Sequence, residues 1–210
     1  MFLTLILSSL LTFMELNCEN LFDTRHDSLK NDREYLPESN YHWTPYRYWA
    51  KLNHIGQEIM AQGTTGEGAD STNMVSSLVP DFVAMCEVEN DSVMSDLTKR
   101  SLLRGAGYEY VMTDSPDERG IDVALMYQPY SFRLLHSHSI RIVRLPDTRP
   151  TRDILYASGL IISGDTLHIF VVHAPSRRGG ERESRPYRLQ VASQLGAAVD
   201  SIYAINDHAK

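Results

Sequence analysis

Apolar runs of strand length stop, again and again, at a side chain able to hold a cation or a phosphate, and this narrows the folds open to the chain more than any other feature. Phe82-Val83-Ala84-Met85-Cys86 ends at Glu87, the run from Leu167 to Val172 ends at His173, and the run from Thr12 ends at Asn17-Cys18-Glu19-Asn20. Short, continuous apolar runs suit strands buried on both faces. Open α/β sheets present their ligands at such strand ends. The pattern predicts a sheet covered by helices on at least one face, with polar residues gathered at its rim.

Between the first two runs, Tyr46 to Gln62 places Trp49, Leu52, Ile55 and Ile59 on one helical face, and the Gly/Thr/Ser-rich stretch 63–73 ends that helix. A second helix is expected over Ser92 to Arg104, closed by Gly105 and Gly107. Strand, helix, strand, helix is a βαβ opening. Residues 108–113, 121–127, 139–144, 154–163 and 166–173 then read as strands, the last two joined as a hairpin through Ser163-Gly164-Asp165. From Glu181 to Ala204 the helical period returns, with Leu189, Ala192, Leu195, Val199 and Ile202 on one face. The chain lacks repeats and any linker that would divide it, so one domain over 12–210 is expected.

With 210 residues, 42% of them apolar, the chain can bury a real core. Its two cysteines, Cys18 and Cys86, exclude a disulfide framework and are read as buried thiols. A net charge of -7 argues against a protein that coats nucleic acid by bulk electrostatics. Yet ten of the twenty basic residues are arginines between Arg133 and Arg188, a segment of net charge +5. That segment is either a patch for an anionic ligand or a solvated surface. The apolar run 2–13 resembles a signal-peptide core, without a preceding Lys or Arg or a cleavage site, and is too short to span a bilayer. We expect a degraded or mis-started export signal leading into the first strand, with a wholly structural strand as the alternative. The protein is then exported, periplasmic or secreted if the signal acts, and cytoplasmic otherwise; no transmembrane segment is expected.

Glu87, where a buried strand emerges, is a hard-oxygen donor of the kind that Mg²⁺ takes with waters and substrate phosphate. A lone Glu after a strand serves equally as a helix cap. His173 is followed by Ala174-Pro175-Ser176-Arg177-Arg178-Gly179-Gly180, a stretch suited to phosphate oxygens. Asp122 interrupts an apolar strand and, if buried, needs a partner, for which His173 or an arginine would serve. Arg152 precedes Asp153-Ile154-Leu155 at another strand start.

The order of these pieces resembles the endonuclease/exonuclease/phosphatase superfamily. The matching stretches are LNCENLFD (16–23), PDFVAMCEVEN (80–90), RGIDVALMY (119–127), TRDILYASG (151–159) and VVHAPSRRGGERESRPYR (171–188). The resemblance implies a partial α/β sandwich of the deoxyribonuclease I-like type, its first sheet flanked by helices and its second sheet incomplete. It implies a Mg²⁺ or Mn²⁺ site with Glu87 as direct ligand, Glu19 as a possible outer-shell ligand and Asn17 beside them. His173 would contact the scissile phosphate, Asp122 would orient it, and Arg152, Ser176 and Arg177 would hold phosphate oxygens. The family's pattern continues with a Gly-Asp-x-Asn strand and a Ser-Asp-His motif, which would follow Lys210. A domain short of its C-terminal third is therefore expected, with a half-built site.

The implied function is a metal-dependent phosphodiesterase or nuclease-type hydrolase of phosphate esters, impaired as this chain, acting on nucleic acid or a phospholipid-type substrate with no obligate protein partner. The alternatives are a non-catalytic truncated product and an anion-binding interaction module. A generic α/β domain would scatter the polar strand ends; the family reading makes Asn17, Glu87, Asp122, Arg152 and His173 converge on one rim.

Overall fold

The computed structural model describes residues 11–63, 79–143, 146, 149–177 and 179–210. Most of the expected signal segment (1–10) and of the loop after the first helix (64–73) lie outside them.

Two sheets stack face to face. The first holds β1 (Phe13–Leu21), β2 (Phe82–Val88), β4 (Asp122–Tyr127) and β3 (Glu109–Met112) in that spatial order, with β1 and β2 parallel and the other pairs antiparallel. The second is an antiparallel sheet of β5 (Phe132–Ile140), β6 (Ile154–Ile161) and β7 (Thr166–Val171). Strand alternation explains how the middle layer is shared. Phe82 and Cys86 of β2 and Val123, Leu125 and Tyr127 of β4 pack on Phe132, Leu155, Ala157 and Val171 of the second sheet. The intervening Val83, Met85, Ala124 and Met126 face the other way, against Leu52 and Ile59 of α1 (Pro45–Gly63) and against Val93, Met94 and Leu97. A third, smaller core joins Ile142 and Ile154 to Val191 of α3 (Glu181–Tyr203).

Two elements differ from the sequence reading. The helix expected over 92–104 is broken into α2 (Asp91–Ser95), a π-helical turn over 96–100 and a 3₁₀ turn over 102–105. Side-chain hydroxyls account for the break: Thr98 donates to the Met94 carbonyl at 2.8 Å and Ser101 to the Leu97 carbonyl at 2.5 Å, loosening the regular ladder. The strand expected at 139–144 begins earlier, at Phe132. Its outward positions, His136 and His138 among them, are exposed, so the strand lacks the apolar density by which the others are recognised.

Cys18 lies in the core between the first sheet and its helices, and Cys86 in the core between the two sheets. The thiols thus occupy opposite faces of one sheet and are both free. Burial pushes Cys18 up to about 12 and Cys86 up to about 11. At pH 8 the native protein should therefore release almost no chromophore from Ellman's reagent, and should react at both thiols once unfolded, where the thiol value is ~8.5. Rapid native labelling would contradict this burial. A second test concerns Gly159 of β6, where an added Cβ would lie 2.5 Å from the Phe132 ring and 2.6 Å from the Arg133 carbonyl. Gly159→Ala should lower unfolding stability in urea by about 1–3 kcal/mol through overpacking.

Candidate active site

Because β1 and β2 run parallel, their C-terminal ends emerge at one rim, where β4 also begins opposite Val88. The start of β6 and the end of β7, paired through Leu155 and Val171, reach that rim from the second sheet. The ladder between β1 and β2 breaks between Asn17 and Leu21, and that between β2 and β4 breaks between Cys86 and Val88. Within these irregularities Glu19, Asn20 and Glu87 adopt left-handed backbone, with φ of 49°, 63° and 60°. Each such residue costs on the order of 1 kcal/mol. Hydrogen bonds hold the arrangement: the Asn20 N–H donates to Glu87 Oε2 at 2.9 Å, and the Glu19 N–H donates to Asn17 Oδ1 at 2.9 Å. Lys51 of α1 braces the same bulge, donating to the carbonyls of Glu19 at 2.6 Å and Asn20 at 3.2 Å.

From the other sheet, His173 brings Nε2 to 3.6 Å from Glu87 Oε1. Its Nδ1 is buried without a hydrogen-bond partner. Burial, followed by the neighbouring Arg152 cation, holds the imidazole below its ordinary range, against an opposite pull from Glu87. Arg152 is itself nearly buried. It donates through Nη2 to the carbonyls of His173 at 3.1 Å and Ala174 at 3.3 Å, and its Nη1 lies 3.4 Å from Asp117 Oδ2. Asp117 also accepts from the Arg119 N–H at 3.0 Å. Glu87, Asp117, Arg119, Arg152, His173 and Ser176 line one cleft of about 820 Å³.

A model of the Endonuclease/Exonuclease/phosphatase family matches residues 12–210. The chain belongs to that family. No curated protein sequence matches it significantly. Among solved structures it is similar to humanized D. rerio TDP2 (18% identity, TM-score 0.54, 95% of this chain and 58% of that one). It is similar to the human Nocturnin catalytic domain with bound sulfate (19%, 0.55, 92% and 59%). It also resembles a mannosyl-6-phosphatase of Bacteroides thetaiotaomicron VPI-5482 (14%, 0.56, 92% and 60%). The chain thus spans about three-fifths of the length of these structures, and at such identities the likeness is one of fold.

Against the endonuclease/exonuclease/phosphatase pattern, the expected site residues divide into three groups. Glu87, Arg152, His173 and Ser176 share the cleft. Asn17 and Glu19 lie where the ladder of β1 breaks and are not among the cleft-lining residues, Asn17 with its side-chain oxygen engaged by the Glu19 N–H and Glu19 exposed. Asp122 and Arg177 have other partners than those expected. The Asp122 carboxylate accepts from the Thr113 hydroxyl at 2.5 Å, from the Ser115 N–H at 3.0 Å and from the Ser115 hydroxyl, not from His173 or an arginine. It shares the strand parity of Ala124 and Met126, which face the helices, whereas His173 arrives from the opposite sheet. Burial raises its pKa, and these donors counteract the rise. Arg177 extends over the first turn of α3, with Nε 3.1 Å from Glu181 Oε2, and is not among the cleft-lining residues. Sequence reasoning missed Asp117, Arg119 and Lys51. An acid in the loop Ser115-Pro116-Asp117 reads as turn chemistry until Arg152 is seen beside it.

Among the described residues no three His, Cys, Asp or Glu side chains form a group able to hold a metal ion by themselves. The donor chemistry nevertheless fits Mg²⁺ or Mn²⁺, since such ions are held through one or two carboxylates with waters and substrate phosphate completing the shell. Glu87 supplies one such carboxylate, lining an open cleft.

The Arg152–Asp117 pair is buried on both sides, with 10% and 8% of the side chains exposed, so removing one partner strands the other. Asp117→Ala should lower stability by about 3 kcal/mol in urea unfolding. Arg177→Ala, at a surface pair, should stay within about 0.5 kcal/mol of the parent. Equal effects would contradict this division of roles.

Proposed function

We propose that this chain is a divalent-metal-dependent hydrolase of phosphate esters, with phosphodiesters of the nucleic-acid type as the leading substrates. The approach of His173 to Glu87, 3.6 Å across the junction of two sheets and flanked by Arg152, carries this reading. Glu87 would hold Mg²⁺ or Mn²⁺, with Glu19 in its outer shell and Asn17 beside it. Such an ion would supply charge that polarises a phosphoryl oxygen. Arg152 is locked by three acceptors and keeps its buried Nε without a partner, so its cation is held in place beside the phosphate and one N–H remains to be satisfied. Ser176 lines the same wall. His173 is held largely neutral, so near pH 7 its single N–H orients the phosphate, and only the minor protonated form can give a proton to the leaving oxygen. Asp122 acts at one remove, fixing the 113–115 turn that precedes Asp117. Asp117 is committed to Arg152 and is therefore no base for water, so turnover by this stretch of chain is expected to be slow.

D. rerio TDP2 has been solved with a single-strand DNA product, Nocturnin with sulfate, and the Bacteroides relative is named a phosphatase; together they support a phosphate-bearing ligand here. A non-catalytic anion-binding module is the second reading, favoured by the net charge of +5 between Arg133 and Arg188.

The test is hydrolysis of plasmid DNA and of bis-p-nitrophenyl phosphate with Mg²⁺, Mn²⁺ or EDTA. Turnover that needs the ion and falls about a hundredfold or more in Glu87→Ala and in His173→Ala supports the enzyme. Anion binding without turnover under any metal favours the module. Turnover that survives both substitutions would sink the site assignment.

A further inference from the structure

Glu87 and His173 do not line the cleft alone. Arg141 and Arg149 line it too, as do Tyr187 and Gln190 of α3. These two arginines differ from Arg152. Arg149 has 88% of its side chain exposed and lies 3.8 Å from the half-exposed Glu118. Arg141, 58% exposed, reaches Asp153 through Nε alone, at 3.3 Å. Both therefore keep guanidinium donors free for a ligand, which suits bidentate capture of a phosphate or carboxylate.

A second observation points the same way. Thr151 Oγ1 and Arg152 Nε are buried without hydrogen-bond partners, and both residues line the same cleft. A hydroxyl and a guanidinium N–H left bare in a buried wall cost free energy that a ligand rich in acceptor oxygens would recover. Apolar surface from Ile142, Pro150 and Tyr187 faces the same space and suits the body of a sugar or base between two anionic groups.

We propose that Arg141 and Arg149 form a second anion subsite of this cleft, so that the preferred ligand carries a further phosphate beside the scissile one, as a terminally phosphorylated dinucleotide does. This rests on the proposed phosphate-ester reading for the location of the scissile group, and the test separates the two. Binding of pTpT and of TpT is measured by calorimetry in EDTA, where no turnover occurs, for the parent, Arg149→Gln and Arg141→Gln.

The expected result is that the parent prefers pTpT by about tenfold, the effect of one or two charge-assisted hydrogen bonds. That preference should shrink toward unity in both variants. Arg149→Gln, at an exposed side chain, guards against misfolding of Arg141→Gln, and both are checked by thermal unfolding. Equal affinity for the two ligands in the parent, no binding of either, or a preference unchanged in folded Arg149→Gln overturns the subsite. If the preference is present but the metal assays show no hydrolysis, the subsite stands and the catalytic reading falls. Hydrolysis without the preference leaves the catalytic reading in place and removes the subsite.

Discussion

The parallel pairing of β1 with β2 is the constraint on which the rest depends. It joins residues 13–21 to residues 82–88 and so fixes, at one rim, two strand ends that lie far apart in the chain. A parallel pair cannot be closed by a tight turn, and α1, which lies within the crossover, covers one face of the sheet. The other face is left for the second sheet. Once both faces are buried, the rim is the place where β1 and β2 can change direction, and there the ladder gives way to three residues in left-handed backbone. The Asn20 N–H on Glu87 ties the two departures together, so the carboxylate is aimed by backbone and not only by its own rotamer.

The second sheet adds charge of the opposite sign. Arg152 and His173 come from the ends of β6 and β7, whose antiparallel register brings Leu155 beside Val171. An arginine so nearly buried is tolerable because Asp117 and two carbonyls surround it. The result is a carboxylate from one sheet and an imidazole and a guanidinium from the other, held by structures that fold for other reasons. Such rigid support is what a site for a doubly charged ion and a phosphate requires.

Glu87 and His173 were legible in the sequence because each ends an uninterrupted apolar run, and the side chain that breaks such a run has few bland explanations. A sheet covered by helices was legible from the same runs, and its stacking on a second sheet only through the family resemblance. Strand β5 was not, because one face of it is open and its histidines and serines hide the alternation. Asp122 was recognised as a buried acid needing a partner, but the choice among hydroxyl, imidazole and guanidinium depends on which face of β4 the carboxylate leaves, and a single residue of phase decides that. Asp117 carries no local signal at all. Its meaning lies in Arg152, 35 residues further along and on another sheet.

Lys51 gives the rim one more property. Its half-buried ammonium sits between the two bulge carbonyls and the Trp43 ring, 5.5 Å away, and burial lowers its pKa while the Glu19 and Glu87 carboxylates draw it back up. The helix thus places a resident monovalent counter-ion beside the carboxylate. A divalent cation held at Glu87 in the proposed way would meet a partly neutralised site, and its loading would be an exchange of electrostatic partners rather than the filling of an empty negative hole.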